Sequence, residues 1–238
     1  MVQINTMIFW AEPQNEEINV VIKKAYDTLQ LLKEFGTEIS PNYLTVLRKK
    51  DAKLFEWSYE RFVETIEKKI KKRGENSFSD LGYSLSFFSS LIEKDSASIG
   101  ITFGISDPKF FNTFIVNLPE SMEIHDDIEL AERISCTFKK CIDVFKPFWG
   151  CISNKANSRR YDGYMKDDLP TTTHWMNYWG EGIINRLGFQ KFNNVPSFNS
   201  ENLYGGYFFK LKEFPINDND PDDILLQKKI NEYFELIN

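Results

Sequence analysis

The sequence predicts an α+β fold, a single domain over residues 1–238 in which a mostly antiparallel sheet packs against several amphipathic helices. Three observations carry this expectation. The β-rich runs "GYSLSFFSSLI", "ASIGITFGI" and "FNTFIVNLP" follow one another with only the short polar turns "EKDS" and "SDPKF" between them, the pattern of an antiparallel meander. Elsewhere apolar residues recur at three and four, as on the buried face of a helix. No repeat, Gly/Ser tract or low-complexity block interrupts the 238 residues, a length within reach of one large domain.

The elements follow in order. Residues 2–10, "VQINTMIFW", are branched and aromatic and read as a strand. Segment 15–35 places Ile18, Val21, Ile22, Ala25, Leu29 and Leu32 on one helical face, with Gly36 as its stop. "PNYLTVLRKK" reads as a short strand with a basic end. Residues 58–73 form a second amphipathic helix through Phe62, Ile66 and Ile70, closed by a basic last turn and Gly74. The meander comes next. In residues 126–145, Ala131, Ile134, Phe138, Cys141, Ile142 and Phe145 make the clearest helical face, and Asp126 with Glu129 has the spacing of a capping box.

"PFWGCIS" is expected as a strand, and "NKANSRRYDGYMKDDLP" as a polar loop of about seventeen residues, a length usual only in functional or mobile segments. "TTTHWMNYWG" reads as a strand, "GEGIINRLG" as a short turn or helix, and "ENLYGGYFFKLKEF" as a strand bent at its Gly-Gly pair. Residues 221–236 close the chain as a helix, with Asp220 as cap, Pro221 at the first position and Asp222 and Asp223 in the first turn.

Composition excludes several function classes. A hydrophobic share of 42% and a charged share of 27% belong to a soluble globular chain. Aromatic residues reach 15%, with 21 phenylalanines, so a ring-filled core is expected. A net charge of −6 and a pI near 5.2 argue against direct nucleic-acid binding and fit a cytoplasmic protein or one that meets a basic partner. Cys136, Cys141 and Cys151 lack the paired spacing of a zinc site or disulfide framework and read as reduced, buried thiols. The first residues have no basic, apolar leader pattern, and no apolar run nears the ~20 residues of a membrane span.

The catalytic inventory is thin. His125, beside Asp126 and Asp127 at a helix start, reads as a capping or surface residue. Two histidines and no HExxH make no metal site, so neither a metal nor a cofactor is expected. "DNDPDDILLQKK" looks like a calcium loop but has Asp223 where glycine is needed and Lys229 where a bidentate glutamate is needed. No glycine-rich phosphate loop occurs. Glu67-Lys68-Lys69 has the Glu-x-Lys spacing of some nucleases, yet it lies on a charged helix face. The basic runs "LRKK" and "KKIKKR" are short and sit in an acidic chain.

What remains is aromatic. In "HWMNYW", Trp175 and Trp179 share one face of an extended strand with Asn177, and His174, Met176 and Tyr178 share the other. Core packing is the simplest account of such a strand. Tryptophan and tyrosine also dominate protein–protein contacts, for which the adjoining polar loop would form the rim. The candidate partner-binding residues are therefore Trp175, Tyr178 and Trp179, with Arg159, Arg160, Tyr161, Asp167 and Asp168 of the loop. Two other readings stay open. A small enzyme would use Asp167 or Asp168 with His174 as acid and base; a structural subunit would belong to a larger assembly.

The order of features is similar to that of the bacterial immunity protein 52 family. A helix ends before "SPNYLTVLRK", a Leu-Gly turn leads into "YSLSFFSS", and "SIGITFGI" pairs with "FIVNLPES". A long helix then leads to "VFKPFWGCIS" and, past the polar loop, to "THWMNYW". The resemblance covers residues 25 to 210. One position departs, since His174 stands where the family's strand is expected to carry glycine. The resemblance implies an immunity protein that neutralises a cognate polymorphic toxin, a nuclease among the options, by steric blockade without catalytic residues.

Overall fold

The computed structural model describes residues 4–46, 48, 51–73, 80–161 and 163–236. Its elements run β1 (Asn5–Ala11), α1 (Ile18–Phe35), β2 (Tyr43–Leu44), α2 (Tyr59–Arg73), β3 (Leu81–Phe88), β4 (Ser98–Ile105), β5 (Asn112–Asn117) and α3 (Ile128–Phe145). Then come β6 (Trp149–Asn154), α4 (Lys155–Arg160), β7 (Met165–Lys166), β8 (Leu169–Pro170), β9 (Met176–Gly180), α5 (Glu181–Leu187), β10 (Asn199–Leu203), β11 (Gly206–Lys210) and α6 (Pro221–Phe234). The fold class is α+β as expected, with antiparallel strands and amphipathic helices. The described chain divides into two compact units, one of residues up to Phe9 with those from Met122 on, the other of Trp10–Ser121.

In the unit of residues 10–121 the expected meander is present. Leu85 of β3 lies opposite Ile101 of β4, and Ile101 opposite Phe114 of β5. The short β2 extends it by pairing with β3. Burial alternates along β4 and β5, so one face is closed and the other half-open. The closed face holds Leu85, Phe87, Ile99, Ile101, Phe114 and Val116, each nearly inaccessible. Val21, Ile22, Ala25, Leu29 and Leu32 of α1 and Phe62 and Ile66 of α2 are also buried, but Ile18 in the first turn of α1 is exposed. The helix stop assigned to Gly74, and Leu47, Lys49 and Lys50 of the basic run, lie outside the described residues.

The other unit is built differently. Its strands lie in the order β10-β11-β9-β6-β1, and β9 is buried at all five positions. Alternation fails here because helices cover both faces. Tyr178, Phe208 and Lys210 face α3, where Phe138 lies 6.1 Å from Phe208 and Phe9 stacks on Phe138 at 4.8 Å. Trp179, Tyr207 and Phe209 face α6, whose Phe234 lies 4.7 Å from Trp179 and 5.5 Å from Phe209. These ring pairs, stacked for Phe9–Phe138 and edge-on for Trp179–Phe234, add about 0.5–1.5 kcal/mol each to the area they bury. All six predicted core positions of α3 are buried. Its cap is Asp127, which accepts from the Leu130 amide at 2.9 Å, one residue later than the expected Asp126. Asp220 caps α6 as expected.

Three expectations change here. The polar segment 154–170 is not one loop: it holds α4 and a tight hairpin in which Met165 pairs with Pro170 and Lys166 with Leu169. "ENLYGGYFFKLKEF" is a hairpin and not a bent strand, because Tyr204 and Gly205 both take positive φ (47° and 81°), as a two-residue primed turn requires. Cys141 and Cys151 are buried, and burial pushes both thiols up, but Cys136 is exposed.

Gly150 of β6 meets the ring of Phe9, where a Cβ would come within 2.7 Å. Gly150→Ala is expected to destabilise this unit by about 1–3 kcal/mol through overpacking, read as a lower urea midpoint.

Candidate functional site

Residues 171–180 are buried without exception. Trp175 is 1% exposed, Tyr178 3% and Trp179 0%. The two tryptophans do not share a face. Regular strand begins only at Met176, and from within it Asn177 turns its carboxamide back on His174, accepting from the His174 N–H and donating to the His174 carbonyl, both at 2.8 Å. That clasp does the work of a neighbouring strand and breaks the alternation. Trp175 lies under the Lys210 ammonium, 5.8 Å from its ring, and donates its indole N–H to the Lys212 carbonyl. Trp179 packs on the α6 side.

The residues before the strand are tied to α6 by side chains. Asn231 accepts from both the amide and the hydroxyl of Thr173 at 2.8 Å and donates to the Thr172 hydroxyl. Gln227 donates to Thr172 at 3.2 Å and to the Thr173 carbonyl. Both amides are buried, on a helix that also buries Ile230 and Phe234. Neither residue stands out in the sequence. The available signal is that each occupies a position at helical spacing from Phe234 where an apolar residue would be expected.

His174 is fully buried. Its ring lies 5.6 Å from Tyr164 and 6.3 Å from Trp149, and burial lowers its pKa from 6.5 to about 3. Burial likewise pushes the Tyr178 phenol up to about 12, and its hydroxyl donates to the Tyr204 carbonyl at 3.2 Å. Tyr164 also accepts the Thr171 amide through its carbonyl, docking the polar segment onto the buried stretch. Sequence reasoning passed over Tyr164, although a ring within a polar run was its signal.

The loop residues singled out lie at the surface. Arg159 and Arg160 on α4 are exposed, and Arg160 donates to the Asp218 carbonyl at 3.0 Å. Tyr161 is half-buried. Asp167 and Asp168 form the hairpin tip at φ 51° and 60°, and Asp168 pairs with Arg186 of α5 at 3.4 Å. The tip is thus held to α5 and the helix to the Asp218 turn. His125 is exposed, and among the described residues no three His, Cys, Asp or Glu side chains converge as a metal set. No helix among them is long and apolar enough to cross a membrane.

No protein-family model matches the sequence, and no curated protein is similar to it. Among solved structures, the Pseudomonas aeruginosa T6SS protein PA0821 has a similar fold. The TM-score is 0.66 at 10% identity, over 99% of this chain and 73% of that one. At that identity the likeness is one of fold.

Two outcomes follow from the buried stretch. Asn231→Leu strands the Thr173 amide in the core and is expected to cost about 3 kcal/mol, measured by urea unfolding. His174 stays neutral in the folded chain down to about pH 3, whereas the unfolded chain takes up that proton near 6.5. Its contribution to stability is therefore whole above pH 6.5 and shrinks as pH falls towards 3, by up to ~1.4 kcal/mol per pH unit. His174→Gln should remove one proton's worth of slope from stability measured between pH 4.5 and 7; equal slopes would refute the assignment.

Proposed function

We propose that this chain is a non-enzymatic immunity protein, which neutralises a cognate bacterial toxin by docking a preformed surface over the toxin's active site or substrate groove. The observation that carries the reading is the state of the polar segment 155–170. It is folded and tethered, yet it keeps Arg159, Arg160, Asp167 and Asp168 exposed with Tyr161 beside them. Fixed charges on a preordered surface steer encounter and lose little entropy on binding.

The tryptophan-rich stretch serves this surface from behind. Trp175, Tyr178 and Trp179 are committed to the core and hold the backbone that Tyr164 docks on. A neutral, buried His174 is a poor general base at neutral pH, and Asp168 is engaged by Arg186, which weakens the reading of an acid–base pair there. The fold shared with a T6SS protein agrees with a role in a secretion-linked toxin system. A net charge of −6 suits a cationic partner, such as the nucleic-acid groove of a nuclease toxin.

The test is titration against the toxin domain that the protein protects cells from. Against such a cationic groove, replacing both hairpin-tip carboxylates, Asp167→Asn with Asp168→Asn, is expected to weaken Kd by about tenfold with Tm little changed. Trp179→Ala should instead lower stability by about 3–5 kcal/mol. Unchanged affinity after replacing both carboxylates, or no protection of toxin-expressing cells by the wild-type chain, would overturn the proposal.

A further inference from the structure

We propose that the open edge of β10 is a strand-docking site, which takes an extended segment of the toxin with a basic residue opposite Glu201; this rests on the reading above. In its unit β10 ends the strand order and has β11 as its strand neighbour. An edge strand presents a row of N–H and C=O groups, and the chemistry that satisfies such a row is another extended backbone.

Natural edges are guarded by proline, lysine or a covering element. The β10 residues Asn199, Ser200, Glu201, Asn202 and Leu203 include neither proline nor lysine, and three of the five are exposed. The edge is also preformed. Phe198 donates its amide to the Lys210 carbonyl at 2.9 Å, and the Tyr204 carbonyl accepts from Tyr178 at 3.2 Å, so both ends are held. Phe198 and Tyr204 bracket the strand, 58% and 52% exposed, with the ammonium groups of Lys210 and Lys146 at 5.5 and 5.1 Å from their rings. Six residue steps separate them, about 20 Å, enough for a strand of five to seven residues with apolar side chains at its ends.

Charge selects the occupant. For a second copy, the antiparallel register that pairs all five residues with all five is centred on Glu201, which places that carboxylate against its own copy. Directly opposed like charges disfavour a sheet. A basic residue in that place finds Glu201 43% exposed on its side chain and held by Lys139 at 2.5 Å, with lone pairs left for a second donor.

The test uses the full-length protein and three seven-residue peptides of alternating valine and threonine. One has lysine at the centre, one has glutamate, and one is the lysine peptide with N-methylated alternate amides. Amide exchange at residues 199–203 is followed by NMR. The lysine peptide is expected to slow exchange along β10 and to bind about fivefold tighter than the glutamate peptide, while the N-methylated peptide leaves exchange unchanged. Glu201→Lys should invert the preference between the two charged peptides and weaken toxin binding. Failure of every peptide to protect β10, an unchanged preference in Glu201→Lys, or a wild-type dimer closed through β10 each overturns the proposal. Toxin affinity unaffected by Glu201→Lys removes the docking site and leaves the immunity reading standing. Peptide docking on a chain that protects no cells removes that reading and leaves the strand acceptor.

Discussion

The unit that carries the candidate site depends on one clasp, the Asn177 carboxamide closing on both backbone groups of His174. A buried strand normally satisfies its amides on a neighbour, and a segment that departs from regular pairing must find substitutes or lose about 1–3 kcal/mol for each group stranded. By supplying a donor and an acceptor at once, Asn177 lets residues 171–175 leave the sheet geometry while still buried. His174 then packs with Trp149 and Tyr164, and Trp175 turns towards Lys210. A leucine at 177 would fill similar space and leave both groups of His174 without that partner.

The same need recurs one layer out. The middle and last turns of α6 reach Thr172 and Thr173 through the Gln227 and Asn231 amides, where α3 reaches the opposite face of the sheet through Phe138. Apolar faces tolerate sliding because many registers bury similar area, whereas a set of aligned donors and acceptors fits one register. The polar pegs of α6 therefore fix where the helix sits. The rings of Trp179, Phe209 and Phe234 supply the burial that holds it there.

What the sequence made legible follows this division. The helices α1, α2 and α3 and the meander β3–β5 were readable because each packs one apolar face, and periodicity reports a face, whereas α6 was readable from its cap, Asp220 followed by Pro221. The misses lie where something else decides. The two-residue turns at Asp167-Asp168 and Tyr204-Gly205 have positive φ without an Asn-Gly or Asp-Gly signature, so the hairpins they close read as a loop and a bent strand. The shared face assigned to Trp175 and Trp179 assumed unbroken alternation, and the Asn177 clasp broke it. The exposed loop residues of the candidate surface were readable as polar and charged. Their tethers to Asp218 and Arg186 were not, since they join residues 58 and 18 positions apart.

Lys210 shows why this unit can hold a rigid surface. Its side chain is 2% exposed, yet its ammonium pairs with Glu132 of α3 at 2.7 Å and lies near the rings of Trp175 and Phe198. An isolated buried charge is strongly unfavourable, and removing one partner of such a pair leaves the other's desolvation uncompensated. Moving the Lys210 ammonium away from Glu132 would therefore leave its charge buried without a partner. The contact couples α3 to β11, β11 to the clasped segment, and Phe198 to the start of β10. A fold held only by its apolar core could let an edge strand or a short tethered helix drift by a residue. One whose buried charge and buried amides each accept a single arrangement presents its edge and its charged segment in one geometry, which is what recognition by a preformed surface demands.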